Sequence, residues 1–150
     1  MNRPRWRWSN VPVPEVNIVL LLASIGFHLF LPLKMLPAAW ISHAAGWPTV
    51  LAGLLLIAWA VSAVGATDLA RPSGIVTSGP YRFSRHPMYL GWILISLGIG
   101  MIVNSTWVVM FVLGTLFFAH VVIIPGEERA LEKRFGQKYV AYQQRVRRWL

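Results

Sequence analysis

Residues 88–124 read MYLGWILISLGIGMIVNSTWVVMFVLGTLFFAHVVII and contain no Asp, Glu, Lys or Arg. Asn104 and Ser105 divide this stretch into two apolar runs, 88–103 and 106–124. A helix that crosses a bilayer needs about 20 apolar residues, and about 17 suffice, so the first run is slightly short and the second is long enough. Because only two residues connect the runs, we predict an antiparallel helical hairpin.

The rest of the composition also indicates a membrane protein. Hydrophobic residues make up 56% of the 150 residues and charged residues 13%, against about 25% charged residues in soluble domains. Two further apolar runs, 16–33 and 49–66, are close to membrane length. The first follows three arginines and is too long for the apolar core of a typical signal peptide, so we expect an uncleaved anchor. The predicted fold is an all-α integral membrane protein with four transmembrane helices, in a single domain over residues 1–150.

The basic residues are concentrated in three segments. All of the 14 Lys and Arg residues except Lys34 lie in the N-terminal tail, in the loop 67–87 or after Gly126. By the positive-inside rule we expect this loop and both termini to be cytoplasmic, which agrees with an even number of spans. Anionic membrane lipids attract such clusters, so the formal net charge of +9 requires no nucleic acid partner. The chain has no Cys, and its four His lack the local spacing of a usual metal site, so we predict no metal.

The motif GPYRFSRHPMYLG, residues 79–91, spans the end of the loop and the start of the hairpin. Arg85 and His86 directly precede Pro87, and proline suits the first position of a helix because the N–H it lacks would have no partner there. The free backbone N–H groups of a helix start, next to a cationic pair, favour an anion. The alternative interpretation is a basic loop that anchors the helix at the lipid headgroups.

The hairpin should bring this motif close to an acidic pair. At about 1.5 Å per residue, each arm is roughly 25 to 28 Å long, so both arms end at the same face of the membrane. Glu127 and Glu128, at the end of the second arm, should therefore lie near Arg85 and His86, at the start of the first. These four side chains are the candidate catalytic residues.

The chain becomes amphipathic after Pro125 and Gly126, which we expect to end the fourth helix. From residue 127 to 149, apolar side chains recur at steps of three or four, as on one face of a cytoplasmic helix. These positions are Leu131, Phe135, Tyr139, Tyr142, Val146 and Trp149. Such a segment serves as an interfacial anchor, as a lid over a cavity, or as both. We expect Gly136 to divide it into two helical pieces.

Several of these motifs occur together in one known family. They are GIV at 74–76, RHPMY at 85–89, the acidic pair at 127–128 and FGQKYVAYQQRV at 135–146. In this order and spacing they resemble the isoprenylcysteine carboxyl methyltransferase family and, more broadly, the membrane methyltransferases that include phospholipid N-methyltransferases. The resemblance covers roughly residues 67–148.

The resemblance implies an α-helical membrane enzyme that encloses S-adenosylmethionine at the cytoplasmic end of its last two spans. The cofactor-binding residues that it implies are Ser73, Gly74, Ile75, Val76, Tyr81, His86, Pro87, Met88, Tyr89 and Glu127. These residue types suit the cofactor. The basic pair can receive its carboxylate, a glutamate can accept hydrogen bonds from its ammonium or ribose, and tyrosine faces can contact adenine or the sulfonium.

The resemblance leaves the methyl acceptor open. The isoprenylcysteine enzymes have an arginine implicated in acceptor binding one helical turn before the glutamate, where this chain has Ile123. A prenylcysteine-type carboxylate would then require Arg129 or Arg148 in place of that arginine. A lipid amine and an apolar thiol or acid are the other expected acceptors, so we expect a lipid or amphipathic acceptor. Two other functions are a nicotinamide-dependent reductase related to sterol reductases and a non-enzymatic membrane accessory protein.

Overall fold

The computed structural model describes residues 15–65 and 72–149. In these ranges six α-helices follow one another, namely α1 (Glu15–Phe30), α2 (Ala39–Val64), α3 (Pro87–Ile102), α4 (Thr106–Phe118), α5 (Ile124–Phe135) and α6 (Gln137–Arg145). A 3-10 turn at Gly79–Arg82 precedes α3, and a π-helical turn at Ala119–Ile123 joins α4 to α5. No β-strand occurs in the described ranges, so the predicted all-α fold is confirmed. The N-terminal arginines and residues 66–71 of the central loop lie outside the described residues.

Two helices of the described chain are long and apolar enough to cross a membrane. They are α2, with 26 residues, and the continuous helix of α4, the π-turn and α5, with 30 residues. The helices α1 and α3 are also apolar but have only 16 residues each. Large apolar side chains are exposed on α1, α2 and α4, including Phe30 and Phe117. These features support the membrane character, and the topology of four spans stays a prediction.

The start of α2 differs from the prediction. The helix begins at Ala39, well before the predicted start at residue 49, and it contains Pro48 in its interior. A proline removes one backbone hydrogen bond, but membrane helices tolerate this loss where neighbouring groups compensate for it. The predicted run therefore identified only the more apolar part of a longer helix.

Glycines allow α2 and α3 to pack closely against each other. The sequence positions of Gly91, Gly98 and Gly100 predict such a contact, because small residues let helix backbones approach. A Cβ on Gly53 would lie 2.6 Å from the carbonyl oxygen of Gly91, and a Cβ on Gly46 would lie 2.8 Å from that of Gly98. Gly100 makes room for α4 in the same way. The predicted packing is confirmed, and α3 is held between α2 and α4.

The turn of the hairpin is fixed by Asn104. This residue has a φ of 53°, a conformation that asparagine adopts more readily than most residues. Its Oδ1 accepts hydrogen bonds from the backbone N–H of Met35 at 3.2 Å and of Leu36 at 2.9 Å. The connection between α1 and α2 is therefore hydrogen-bonded to the turn. The helices α3 and α4 pack against each other, so the predicted antiparallel hairpin is confirmed.

The fourth helix does not end at Pro125 and Gly126, so that prediction is wrong. The π-turn lies immediately before them, and within it the N–H of Ile124 bonds to the carbonyl of Ala119, five residues back. A π-turn is wider than an α-turn, and this one gives the proline ring space next to the preceding turn. The chain breaks instead at Gly136, as predicted, where φ is 54°.

Candidate functional site

A cavity of about 440 Å³ opens at the end of the hairpin, between the loop that precedes α3 and the helices α5 and α6. Small-molecule sites occupy about 300 to 1,000 Å³, so its volume is typical. The residues that line it are Pro72, Gly74, Ile75, Val76, Tyr81, Arg85, His86, Pro87, Met88, Tyr89, Glu127, Ala130, Leu131, Arg134, Tyr139 and Tyr142. Most of them are apolar or aromatic. The polar groups are concentrated at the start of α3 and on one face of α5.

Most of the predicted site residues line this cavity. Of the predicted cofactor contacts, only Ser73 does not, and it is exposed. Of the predicted catalytic residues, Arg85, His86 and Glu127 line the cavity, whereas Glu128 is buried outside it. Neighbouring residues on a helix differ in direction by about 100°, so only one of two adjacent glutamates can face the cavity. The roles of these residues stay predictions.

The start of the first arm and the end of the second arm of the hairpin contact each other. The hydroxyl of Tyr89, on α3, donates to Glu127 Oε1 at 2.6 Å. His86 Nδ1 lies 3.7 Å from Glu127 Oε2. The side chain of Glu127 is 44% exposed, which leaves its carboxylate accessible from the cavity. The predicted meeting of the two ends of the hairpin is therefore confirmed.

Glu128 is the centre of a buried charge cluster behind this contact. Arg148 contacts both of its carboxylate oxygens, with Nη2 2.6 Å from Oε2 and Nε 3.2 Å from Oε1. Arg85 Nη1 and His86 Nε2 lie 2.8 Å and 3.3 Å from Oε1. Burial lowers the pKa of His86, although Glu128 opposes this shift, so the imidazole is neutral at neutral pH. The two arginines supply the positive charge that a buried carboxylate requires.

The C-terminal segment, residues 146–149, crosses the loop that leads into α3. The backbone N–H of Arg85 donates to the carbonyl of Arg147 at 3.0 Å. The hydroxyl of Ser84 donates to the carbonyl of Arg148 at 3.2 Å. Arg148 of the segment and Arg85 of the loop both contact Glu128. The segment and the loop therefore share one carboxylate.

Aromatic side chains of α6 form another wall of the cavity. Tyr139 and Tyr142 are buried with Val146 and pack against Ile75 of the loop. The hydroxyl of Tyr142 donates to the carbonyl of Tyr81 at 2.8 Å. The apolar face that the sequence predicts for this helix is therefore turned toward the loop and the cavity, as a lid requires.

Comparison with known proteins gives the family of the chain. The model of the phospholipid methyltransferase family matches residues 41–138, which is more than half of the chain. The chain belongs to this family. The resemblance predicted from the motifs is thus confirmed.

Curated relatives of this phospholipid methyltransferase family member include isoprenylcysteine enzymes. Protein-S-isoprenylcysteine O-methyltransferase B of Arabidopsis thaliana is 42% identical over 74 residues, 48% of this chain and 36% of that protein. Form A of the same plant is 41% identical over 75 residues, 49% of this chain and 37% of that protein. The enzyme of Tribolium castaneum is 39% identical over 74 residues, 48% of this chain and 26% of that protein. The matched part therefore spans little more than a third of these relatives at most.

The site of this family member extends beyond the part that the family model matches. The match ends at residue 138, whereas Tyr139, Tyr142 and Arg148 lie after it. The tyrosines were visible in the sequence as part of the apolar face of α6. Arg134, which also lines the cavity, carries no sequence signal that separates it from the other basic residues of α5.

Proposed function

We propose that this phospholipid methyltransferase family member is an S-adenosylmethionine-dependent methyltransferase of the membrane, with a lipid or amphipathic acceptor. The observation that supports this best is the cavity at the end of the hairpin, where the half-exposed carboxylate of Glu127 meets Tyr89 and His86 beside apolar walls. The family membership supports the same reaction.

The residues of the cavity fit the chemistry of this cofactor. Glu127 would accept hydrogen bonds from the ammonium group or from the ribose hydroxyls, since one of its oxygens is not used by Tyr89. Tyr81 and Tyr89 would present aromatic surface to the adenine or to the sulfonium. Arg85 and the start of α3 would receive the carboxylate.

When bound, S-adenosylmethionine supplies an already activated methyl group. The chain's own contribution is therefore to align the acceptor and to exclude water, more than to provide acid–base help. The apolar side chains of Met88 and Leu131, with the tyrosines of α6, line the cavity and reduce its access to water.

An acceptor that is an amine or a thiol must also lose a proton, and in this proposal His86 takes it. The imidazole is neutral, and with Nε2–H donating to Glu128 at 3.3 Å its Nδ1 is left as an acceptor. Burial lowers the pKa of His86, so the residue is a modest base that releases the proton readily. A carboxylate acceptor would need no base.

The acceptor reaches the site from the bilayer in this proposal, and the cofactor reaches it from the cytoplasm. The proposed topology has four spans and both termini on the cytoplasmic side, as the distribution of Lys and Arg favours. A polar cofactor can approach only from water, whereas an acceptor with a long hydrocarbon part is concentrated in the membrane. The exposed apolar surface of α1, α2 and α4 supports contact with lipid.

Binding measurements on the purified protein in lipid nanodiscs test this proposal. S-adenosylhomocysteine should bind with a measurable heat in calorimetry, and NADPH should not. Incubation with a radiolabelled methyl donor and a total lipid extract should then label the acceptor. Binding of NADPH without binding of S-adenosylhomocysteine would favour a reductase, and binding of neither would favour an accessory protein.

A further inference from the structure

We propose that Glu128 and Arg148 form a clamp that holds the C-terminal segment, residues 146–149, across the end of the cavity and thereby positions Arg85 and His86. This inference rests on the proposed function, because it concerns closure of the same cavity. It assigns Glu128 a positioning role instead of a catalytic one, since the residue does not line the cavity.

The geometry of the pair is that of a strong contact. Arg148 approaches both oxygens of Glu128, at 2.6 Å and 3.2 Å. The side chain of Glu128 is only 8% exposed and that of Arg148 is 29% exposed. Bidentate arginine–carboxylate contacts are strong and directional, and partial burial reduces the screening by water. Removal of Arg148 alone would leave the buried carboxylate of Glu128 without its bidentate partner, which costs more than breaking a surface ion pair.

The clamp ties the segment to three parts of the site. The carbonyls of Arg147 and Arg148 accept hydrogen bonds from the loop before α3. The guanidinium of Arg148 reaches α5 through Glu128. The indole N–H of Trp149 donates to His120 Nδ1 on the π-turn at 3.0 Å, and the two rings stack. Loop, π-turn and α5 are thus joined by three consecutive residues of the chain, 147–149.

The same carboxylate also holds two residues that line the cavity. Glu128 Oε1 lies within 3.3 Å of His86 Nε2 and 2.8 Å of Arg85 Nη1. Replacement of Arg148 removes the bidentate partner that fixes the orientation of the carboxylate, so we expect the contacts with Arg85 and His86 to change with it. The position of the segment is therefore coupled to the positions of Arg85 and His86, which line the cavity where the ligand would bind.

Arg147 provides a matched control for a test of the clamp. It is the adjacent arginine, its side chain is exposed, and it contacts the loop through its backbone carbonyl. Arg148→Gln should weaken the binding of S-adenosylhomocysteine about ten-fold, because the apparent affinity falls with the fraction of molecules in the closed form. The same change should raise the amide hydrogen exchange of residues 139–149 and of Arg85. Arg147→Gln should leave both quantities close to those of the wild type.

A conservative variant separates positioning from loss of structure. Arg148→Lys keeps the charge and one hydrogen bond, so it should recover part of the affinity and part of the exchange protection. Equal affinity and equal exchange in Arg148→Gln and Arg147→Gln would refute the clamp, as would raised exchange with unchanged affinity. A wild-type protein that binds no S-adenosylhomocysteine would instead refute the proposed function, and the exchange comparison would still decide whether Arg148 holds the segment.

Discussion

Replacement of Glu127 by Gln tests the proposed cofactor contact most directly. The change keeps the size of the side chain and an oxygen for the hydroxyl of Tyr89, which lies 2.6 Å from Oε1. It replaces the other oxygen with an NH2 group, which cannot accept a hydrogen bond, and it removes the negative charge that the two oxygens share. A hydrogen bond to a charged group contributes about 1.5 to 3 kcal/mol. Because the carboxylate is 44% exposed, we expect a value near the lower end.

The expected loss is therefore about 1.5 kcal/mol, or roughly ten-fold in the dissociation constant of S-adenosylhomocysteine. Isothermal titration calorimetry in nanodiscs measures it, and far-UV circular dichroism checks that the variant is folded. Glu132→Gln is the matched control, since Glu132 is an exposed glutamate of the same helix that does not line the cavity. A folded Glu127→Gln variant with the affinity of the control would remove Glu127 from the site.

Three further outcomes follow from the packing and from the proposed route of the acceptor. Gly53→Ala should lower the thermal unfolding midpoint in detergent, because the new methyl group would lie 2.6 Å from Gly91 O and overpacking costs about 1 to 3 kcal/mol. Gly114→Ala, where a Cβ meets nothing within 4 Å, is its control, and equal midpoints would contradict the close packing. Tyr142→Phe should destabilise the fold by about 1 kcal/mol, since its hydroxyl donates to Tyr81 O; an unchanged denaturation midpoint would show that this bond contributes nothing. The rate with a lipid acceptor should follow its mole fraction when inert lipid is added, and a rate that follows only bulk concentration would exclude entry from the bilayer.

The sequence by itself determined which segments are helical and that the two ends of the hairpin meet. Inside a bilayer, an apolar run of near-membrane length finds no backbone partner except its own carbonyls, which predicts a helix. Two residues between arms of similar length then bring the arms back to the same level, which places His86 beside Glu127. Gly136 could be read as a break because glycine adopts a positive φ without steric cost.

The resemblance singled out Glu127 as a cofactor contact, but only the tertiary structure showed that Glu127 faces the cavity and that Glu128 turns away from it. That choice depends on the rotation of the helix about its axis, and the π-turn before Pro125 changes this rotation by inserting an extra residue into one turn. Spacing in the sequence does not record such an insertion. Nor does it record the partner of Arg148, because the contact with Glu128 requires α6 to fold back over the loop. Local patterns specify the helices of this protein, whereas helix phase and long-range contacts specify its site.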